Sequence, residues 1–414
     1  MDERAGHFHK KKLFYVLTSA GKPVWSKYGE ETDLSTFIGS LAAILYKFQN
    51  YYTGVEDSVR FLRTSDMYIV FLCTEALYYV CISRGSSSLS SLFYQLRMLH
   101  AKVISTLTDN ITTMLISRPN YDARNLMGGT HTSLDTLIRT SSVSPGFLEG
   151  VMPIRLVAGV RNQIYNCFRS NMHEDLLFGF LLTTEHIIYK YTRRGETCRP
   201  VDILLLSNVL ASYTSLRSTM SWTPICLPEF SDKGFLYAYI TFIPESMIGL
   251  ALISDNAGAF KELKECGDAI ERDLLPLRDE LHQAIDATPY SVQLTDQREL
   301  KHFIYHSKTA EQYTMSGFNP STRQLLPEIT LEQYKRTLKR YNLAYRLSLL
   351  SDYCKGSYLR IDTYRNEQVV CWREKDFTVF ASFSPLLPLQ NVSQSLTQLQ
   401  KFMKSEEANF FILK

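Results

Sequence analysis

The sequence predicts an α/β protein built from three similar domains, each a mixed or antiparallel five-stranded sheet flanked by helices. Three observations lead there. The first hundred residues or so read strand, strand, helix, three strands, helix. Comparable blocks return twice, and 414 residues allow three units of about 138 each. The composition, 45% hydrophobic and 21% charged, is that of a globular protein and excludes wholesale disorder.

Residues 1–11 form a short polar N-terminus, and the first domain spans residues 12–118. It opens with Leu13-Phe14-Tyr15-Val16-Leu17, an apolar run too short for a helix and rich in strand-forming residues. Residues 19–23 turn the chain, and Val24-Trp25-Ser26-Lys27-Tyr28 begins a second strand that Gly29 ends. Glu30, Glu31 and Asp33 then supply the negative charge that suits the first turn of a helix. Within that helix Leu34, Phe37, Ile38, Leu41, Ile44, Leu45 and Phe48 keep the three-and-four spacing of a buried stripe.

The other side of the same helix is unusual. Ser35, Gly39, Ala42, Ala43 and Tyr46 are small or uncharged, and Lys47 is the only charge between Leu34 and Phe48. Such a face is either buried inside its own domain or docks a second subunit. Beyond it, residues 59–62, 68–72 and 77–82 suit an antiparallel meander with turns such as Thr64-Ser65-Asp66. Residues 86–88 are a polar helix start, and Leu89, Leu92, Phe93, Leu96, Leu99, Val103 and Leu107 line a second amphipathic helix.

Residues 119–153 break the pattern and read as a structured linker, with a short helix over 134–138 and a loop over 141–146. The second domain, 154–285, offers a helix over 161–168, strands within 176–191 and a helix over 201–216 behind Pro200. Residues 221–228 precede strands over 235–240 and 247–253, and a helix over 257–274 closes the block. The third domain, 286–414, repeats the scheme. It has strands near Phe303 and Tyr313, a helix from Leu331, and strands near Leu359, Val369 and Phe377. A helix from Val392 and a terminal Phe410-Phe411-Ile412-Leu413 strand follow.

Composition also bounds function. A formal charge of +3 argues against nucleic acid as a partner of the whole chain. No apolar run approaches the roughly 20 residues of a membrane span, and the N-terminus has no signal-peptide core, so a soluble, non-secreted protein is expected. Eight scattered cysteines without a Cys-x-x-Cys pair point to a reducing compartment, with neither disulfide frame nor zinc site. His302 and His306 have a helical ligand spacing but flank a strand-like Phe303-Ile304-Tyr305. Residues 120–130 lack the Gly-Lys-Ser/Thr ending of a phosphate loop, and no hydrolase or metalloprotease motif is present. No catalytic residue, metal or cofactor is therefore expected.

Several stretches resemble a known family. Leu13-Phe14-Tyr15-Val16-Leu17 with Ala20-Gly21-Lys22-Pro23 and Ser26-Lys27-Tyr28-Gly29 is similar to the opening of the Mon subunits of Mon–Ccz vacuolar fusion complexes. Leu126-Met127-Gly128-Gly129-Thr130 with Leu134-Asp135, Pro145-Gly146-Phe147-Leu148, and Trp222-Thr223-Pro224-Ile225-Cys226-Leu227-Pro228 look like later hallmarks, in the same order. The resemblance implies three longin domains. It implies a heterodimer with a Ccz-type longin subunit that exchanges guanine nucleotide on a late-endosomal and vacuolar Rab GTPase of the Rab-seven class. Membrane fusion, endosome maturation and autophagy would be the processes served. The location implied is the cytoplasm and, peripherally, late-endosome and vacuole membranes carrying phosphoinositides. An adaptor or tethering subunit without exchange activity is the alternative, because longin domains build those too.

On that resemblance, Ser35, Gly39, Ala42, Ala43 and Tyr46 are the expected partner-subunit face, and the corner Ser26, Lys27, Tyr28, Gly29, Glu30 and Glu31 is the expected Rab contact. The basic face Lys335, Arg336, Lys339 and Arg340, with Lys190, Arg193 and Arg194, is the expected approach to anionic lipid.

Overall fold

The computed structural model describes residues 11–28, 35–51, 59–85, 87–212, 220–287, 295, 299–317, 330–350 and 356–413. It contains three five-stranded sheets of identical topology, with strand orders β2-β1-β5-β4-β3, β7-β6-β10-β9-β8 and β12-β11-β15-β14-β13. In each, the first strand of the block sits second from one edge and pairs antiparallel with both the next strand and the last one. The fold-class expectation therefore holds in all three blocks.

The first sheet comprises β1 (Lys12–Thr18), β2 (Pro23–Ser26), β3 (Phe61–Arg63), β4 (Met67–Cys73) and β5 (Leu77–Arg84). Side chains alternate across β1, so its two faces feed two cores. Leu13, Tyr15 and Leu17 pack with Ile38, Leu41 and Leu45 of α1 (Ser35–Tyr51). Phe14 and Val16 pack with Leu92, Leu96, Leu99 and Val103 of α2 (Leu89–Leu107). Ser88 caps α2 by accepting from the Ser91 amide, as the polar start signal requires. Helix α3 (Asn110–Ser117) and α4 (His131–Ser141) follow, and Leu134 and Ile138 of α4 join the α2-side core. The segment expected to be a linker is thus divided, its first part being integral to this domain.

The chain separates into two compact units, one of residues 1–142 with 225–235, the other of residues 143–224 with 236–414. The second unit holds the third domain and all of the second except residues 225–235. The second sheet comprises β6 (Phe178–Leu182), β7 (Ile187–Thr192), β8 (Ser221–Leu227), β9 (Ser231–Phe242) and β10 (Gly249–Ser254). Residues 221–227 form the edge strand β8, where Pro224 can lack a donor without breaking a ladder on both sides. Helices α5 (Ala158–Ser170), α6 (Pro200–Ser212) and α7 (Phe260–Leu274) belong to this domain. An additional helix, α8 (Arg278–Asp286), extends it past the expected end of the closing helix.

The third sheet comprises β11 (Leu300–Ser307), β12 (Gln312–Met315), β13 (Tyr358–Thr363), β14 (Gln368–Arg373) and β15 (Phe377–Phe383). Helix α9 (Leu331–Leu350) covers one face through Tyr334, Leu338, Tyr341 and Ala344. Helix α10 (Leu389–Ser405) covers the other through Val392, Leu396, Leu399 and Met403. The expected terminal strand at 410–413 is corrected. Phe410 ends a short helix, α11 (Glu407–Phe410), and Phe410 and Phe411 are buried in the α10-side core, with the Phe411 ring 6.0 Å from that of Tyr305. Two aromatic anchors fill that core without joining a ladder, so the apolar run reads like a strand although its backbone is not one.

Candidate interaction surfaces

The outer face of α1 is open in this chain. Gly39, Ser40, Ala43, Tyr46 and Lys47 are exposed, Tyr46 by 69%. A methyl group built on Gly39 would meet nothing within 4 Å. Ala42 differs from its neighbours. It is half-buried, and a methyl on Gly21 of the β1–β2 turn would stand 3.0 Å from its Cβ. Ala42 therefore marks where the face meets its own domain. The side chain of Ser35 lies outside the described residues.

The β2 corner is more enclosed than an ordinary turn. Ser26 is buried and its hydroxyl donates to the Tyr28 carbonyl at 2.5 Å, while the Lys27 amide donates to the Phe14 carbonyl at 3.0 Å. The Lys27 ammonium stands 5.6 Å from the Tyr28 ring centre and 6.0 Å from that of Phe14, within cation–π reach. Burial lowers the Lys27 pKa, Asp135 opposes that shift and Arg139 adds to it. Burial raises the Tyr28 pKa, and Asp135 adds to the rise. Gly29, Glu30 and Glu31 lie outside the described residues.

The sequence marked Asp135 only as part of a family hallmark and Arg139 not at all; neither was expected beside this corner. Both are exposed on α4, where His131, Asp135 and Arg139 repeat at four-residue spacing beside the buried row of Leu134 and Ile138. The Trp25 indole N–H donates to His131 Nδ1 at 3.0 Å, so α4 is tied to β2, and that imidazole carries its proton on Nε2 when neutral. The polar stripe was readable in the sequence; its proximity to Lys27, more than a hundred residues away, was not.

The basic candidates sort into two kinds. Lys335, Arg336 and Lys339 are exposed on α9, with Arg336 reaching Glu332 at 3.4 Å. Arg340, expected to approach anionic lipid, is instead engaged within its own domain. It pairs with the carboxylate of Glu367 and stacks 3.9 Å over the Tyr364 ring. Lys190 is likewise committed, donating to the Cys198 carbonyl at 3.1 Å, and Arg193 pairs with Asp255 at 3.0 Å. Arg194 is exposed. Sequence reading also missed Leu343 and Leu350, which are 51% and 74% exposed and share the outer side of α9 with Lys335, Lys339 and Arg346.

Among the described residues, no group of His, Cys, Asp and Glu could hold a metal ion, and no helix is long and apolar enough to cross a membrane. His302 and His306 lie in β11 as buried imidazoles, His302 Nδ1 standing 3.2 Å from the Tyr341 hydroxyl.

Comparison with known proteins agrees with this architecture. The chain matches family models described as the first, second and third longin domains of FUZ, MON1 and HPS1 at residues 12–137, 174–271 and 299–407. The first match ends within α4, which accords with the packing of that helix. The chain is 28% identical over 411 residues to the vacuolar fusion protein MON1 homolog A of Gallus gallus, covering 98% of this chain and 72% of that protein. It is also 28% identical to the Homo sapiens MON1 homolog A, covering 99% of this chain and 62% of that one. The Oryza sativa subsp. japonica MON1 homolog is 28% identical over 452 residues, 99% of this chain and 76% of that protein. With all three domain models matched in order and similarity running through nearly its whole length, the chain belongs to the three-longin family of FUZ, MON1 and HPS1, within its MON1 group.

Proposed function

We propose that this MON1-type protein, a member of a vacuolar fusion and trafficking group, is one subunit of a guanine-nucleotide exchange factor for a Rab GTPase of the Rab-seven class. Its partner in that reading is a Ccz-type longin subunit. The observation that carries the proposal is the exposed, charge-poor outer face of α1, centred on Gly39, Ala43 and Tyr46. Small side chains there allow another helix to approach closely, and an apolar patch of this kind marks an interface.

Exchange needs no bond-making residue. The factor accelerates release by binding the GTPase conformation with opened switch loops more tightly than the closed one, and only that difference in affinity shifts the equilibrium. The corner of Ser26, Lys27 and Tyr28, flanked by Asp135 and Arg139, is the surface we assign to the Rab. Lys335, Lys339 and Arg346 with Leu343 and Leu350 are assigned to an anionic membrane surface, where exposed cations attract headgroups and leucines can enter the interface.

Release of a fluorescent nucleotide from the Rab, measured with each subunit and with both, tests the reading. Acceleration is expected with both subunits together. Gly39→Arg should abolish co-purification while the isolated chain keeps its unfolding midpoint, because the new side chain meets nothing within 4 Å at its Cβ. Normal co-purification of that variant would remove α1 from the interface. Charge reversal at Glu30, Glu31 and Asp135 should slow exchange without dissociating the subunits. A complex that forms yet releases nucleotide from no Rab would leave the adaptor or tether reading in its place.

A further inference from the structure

Residues 151–158 run as a strap along the outer strands of two sheets in the second unit. β12 is an edge of the third sheet and β7 an edge of the second. Val151 forms a parallel bridge to Gln312 beside β12: its amide donates to Glu311 O at 3.2 Å and its carbonyl accepts from Tyr313 N at 3.0 Å. The next residues turn to β7, where Met152 O accepts from Ile187 N at 3.1 Å and Ile154 N donates to Ile187 O at 3.0 Å. The approach to β12 is close. A methyl on Gly150 would lie 3.1 Å from Glu311 O and 3.3 Å from the Tyr313 ring.

Two ladder bonds on each side are a short hold for a segment whose Val151, Met152, Ile154 and Leu156 are all buried. The remainder comes from residues 406–412. Asn409 accepts from Leu156 N through its carbonyl at 2.9 Å and from Ala158 N through Oδ1 at 2.8 Å. Its own Nδ2 donates to Glu406 Oε2 at 2.9 Å, which also accepts from Arg155 at 3.3 Å. Arg161 donates to Ile154 O at 2.6 Å, Asn409 O at 3.0 Å and Ile188 O at 3.3 Å. On the other side Gln312 exchanges both of its amide bonds with Ile412, at 2.9 and 3.0 Å.

We propose that residues 406–412 are a latch that closes the strap over both sheet edges and makes the second and third domains one mechanical body. α11 spans four residues, too few to hold itself as a helix, so its order depends on these side-chain contacts. Opening the latch frees the strap without unfolding either sheet, and it uncovers two strand edges able to accept another strand. The inference does not depend on the exchange reading.

Hydrogen exchange of the full chain tests it, with Asn409→Ala and Gln312→Ala cutting the latch from opposite sides. The amides of Val151, Ile154, Leu156 and Ala158 should exchange at least tenfold faster in each variant, because local opening and not global unfolding then sets their rate. Phe180, Ile304 and Tyr15, in inner strands of the three sheets, should keep wild-type rates. Asn409→Asp retains the Oδ1 acceptor and loses the donor to Glu406, so an intermediate rate is expected. Unchanged strap exchange in both alanine variants would overturn the latch. So would an equal rise at Phe180 or Ile304, since opening would then be inseparable from unfolding of a sheet.

Discussion

Arg340 and Lys339 are neighbours on α9 with different physical roles. The Glu367 side chain is 10% exposed and accepts from Thr337 Oγ1, from Ser382 Oγ and from the Arg340 guanidinium. A carboxylate at that depth is tolerated because its oxygens are satisfied by these donors. Removing the guanidinium leaves the charge underpaired. Arg340→Ala should therefore cost about 3 kcal/mol, while Lys339→Ala, on an exposed position, should stay within about 0.5 kcal/mol. Urea unfolding at neutral pH compares them, and equal midpoints would show that the pair contributes nothing net. The sequence placed both cations on one basic face. A single-residue step of about 100° carries Arg340 toward buried Tyr341, and the acid that receives it lies 27 residues away, beyond any local pattern.

At the scale of elements, the outer side of α9 combines Lys335, Lys339 and Arg346 with exposed Leu343 and Leu350. Lys335→Glu, Lys339→Glu and Arg346→Glu together should weaken binding to anionic liposomes, and the difference from wild type should shrink as salt screens the charges. Leu343→Ser with Leu350→Ser should weaken binding with little salt dependence, because the lost contribution is apolar. Liposome binding untouched by both sets would make this a solvated face only. The elements themselves were legible wherever one periodicity ran long enough. Short continuous apolar runs marked β1, β4 and β5, and stripes at three-and-four spacing marked α1, α2 and α9. Legibility failed where packing and not pattern decides. Phe410 and Phe411 anchor a turn although they look like strand residues. α4 is too short for its stripe to reveal that it belongs to the first domain. Of the candidate surfaces, the charge-poor face of α1 was readable because absence of charge is itself a local signal; the enclosure of Lys27 by Phe14, Tyr28 and α4 was not.

Across the whole molecule, the three sheets share a topology, and titratable groups buried with them set how stability depends on pH. The second unit encloses His186, His302 and His306, and His186 Nδ1, His302 Nε2 and His306 Nδ1 have no hydrogen-bond partner among the described residues. Burial lowers His186 to about 4 and His302 to about 3; burial with nearby Lys308 lowers His306 to about 4. Each imidazole is thus neutral when folded and takes up a proton more readily when unfolded. The stability they contribute is complete above pH about 6.5, the unfolded value, and is lost as pH falls from there toward the folded values. Between roughly pH 6 and 4.5 the unfolded chain binds up to about one extra proton per imidazole, a slope of about 1.4 kcal/mol per pH unit for each. His302 faces the Tyr341 hydroxyl and the Tyr334 ring, so glutamine can keep a hydrogen bond there without the titration. In a background where Trp25 and Trp222 are phenylalanine, Trp372 fluorescence follows the second unit alone during urea unfolding. His302→Gln should lower the pH slope of its stability by about 1.4 kcal/mol per unit in that window. An unchanged slope would mean that the folded protein protonates His302 as readily as the unfolded chain does, and the buried neutral imidazole would have to be abandoned.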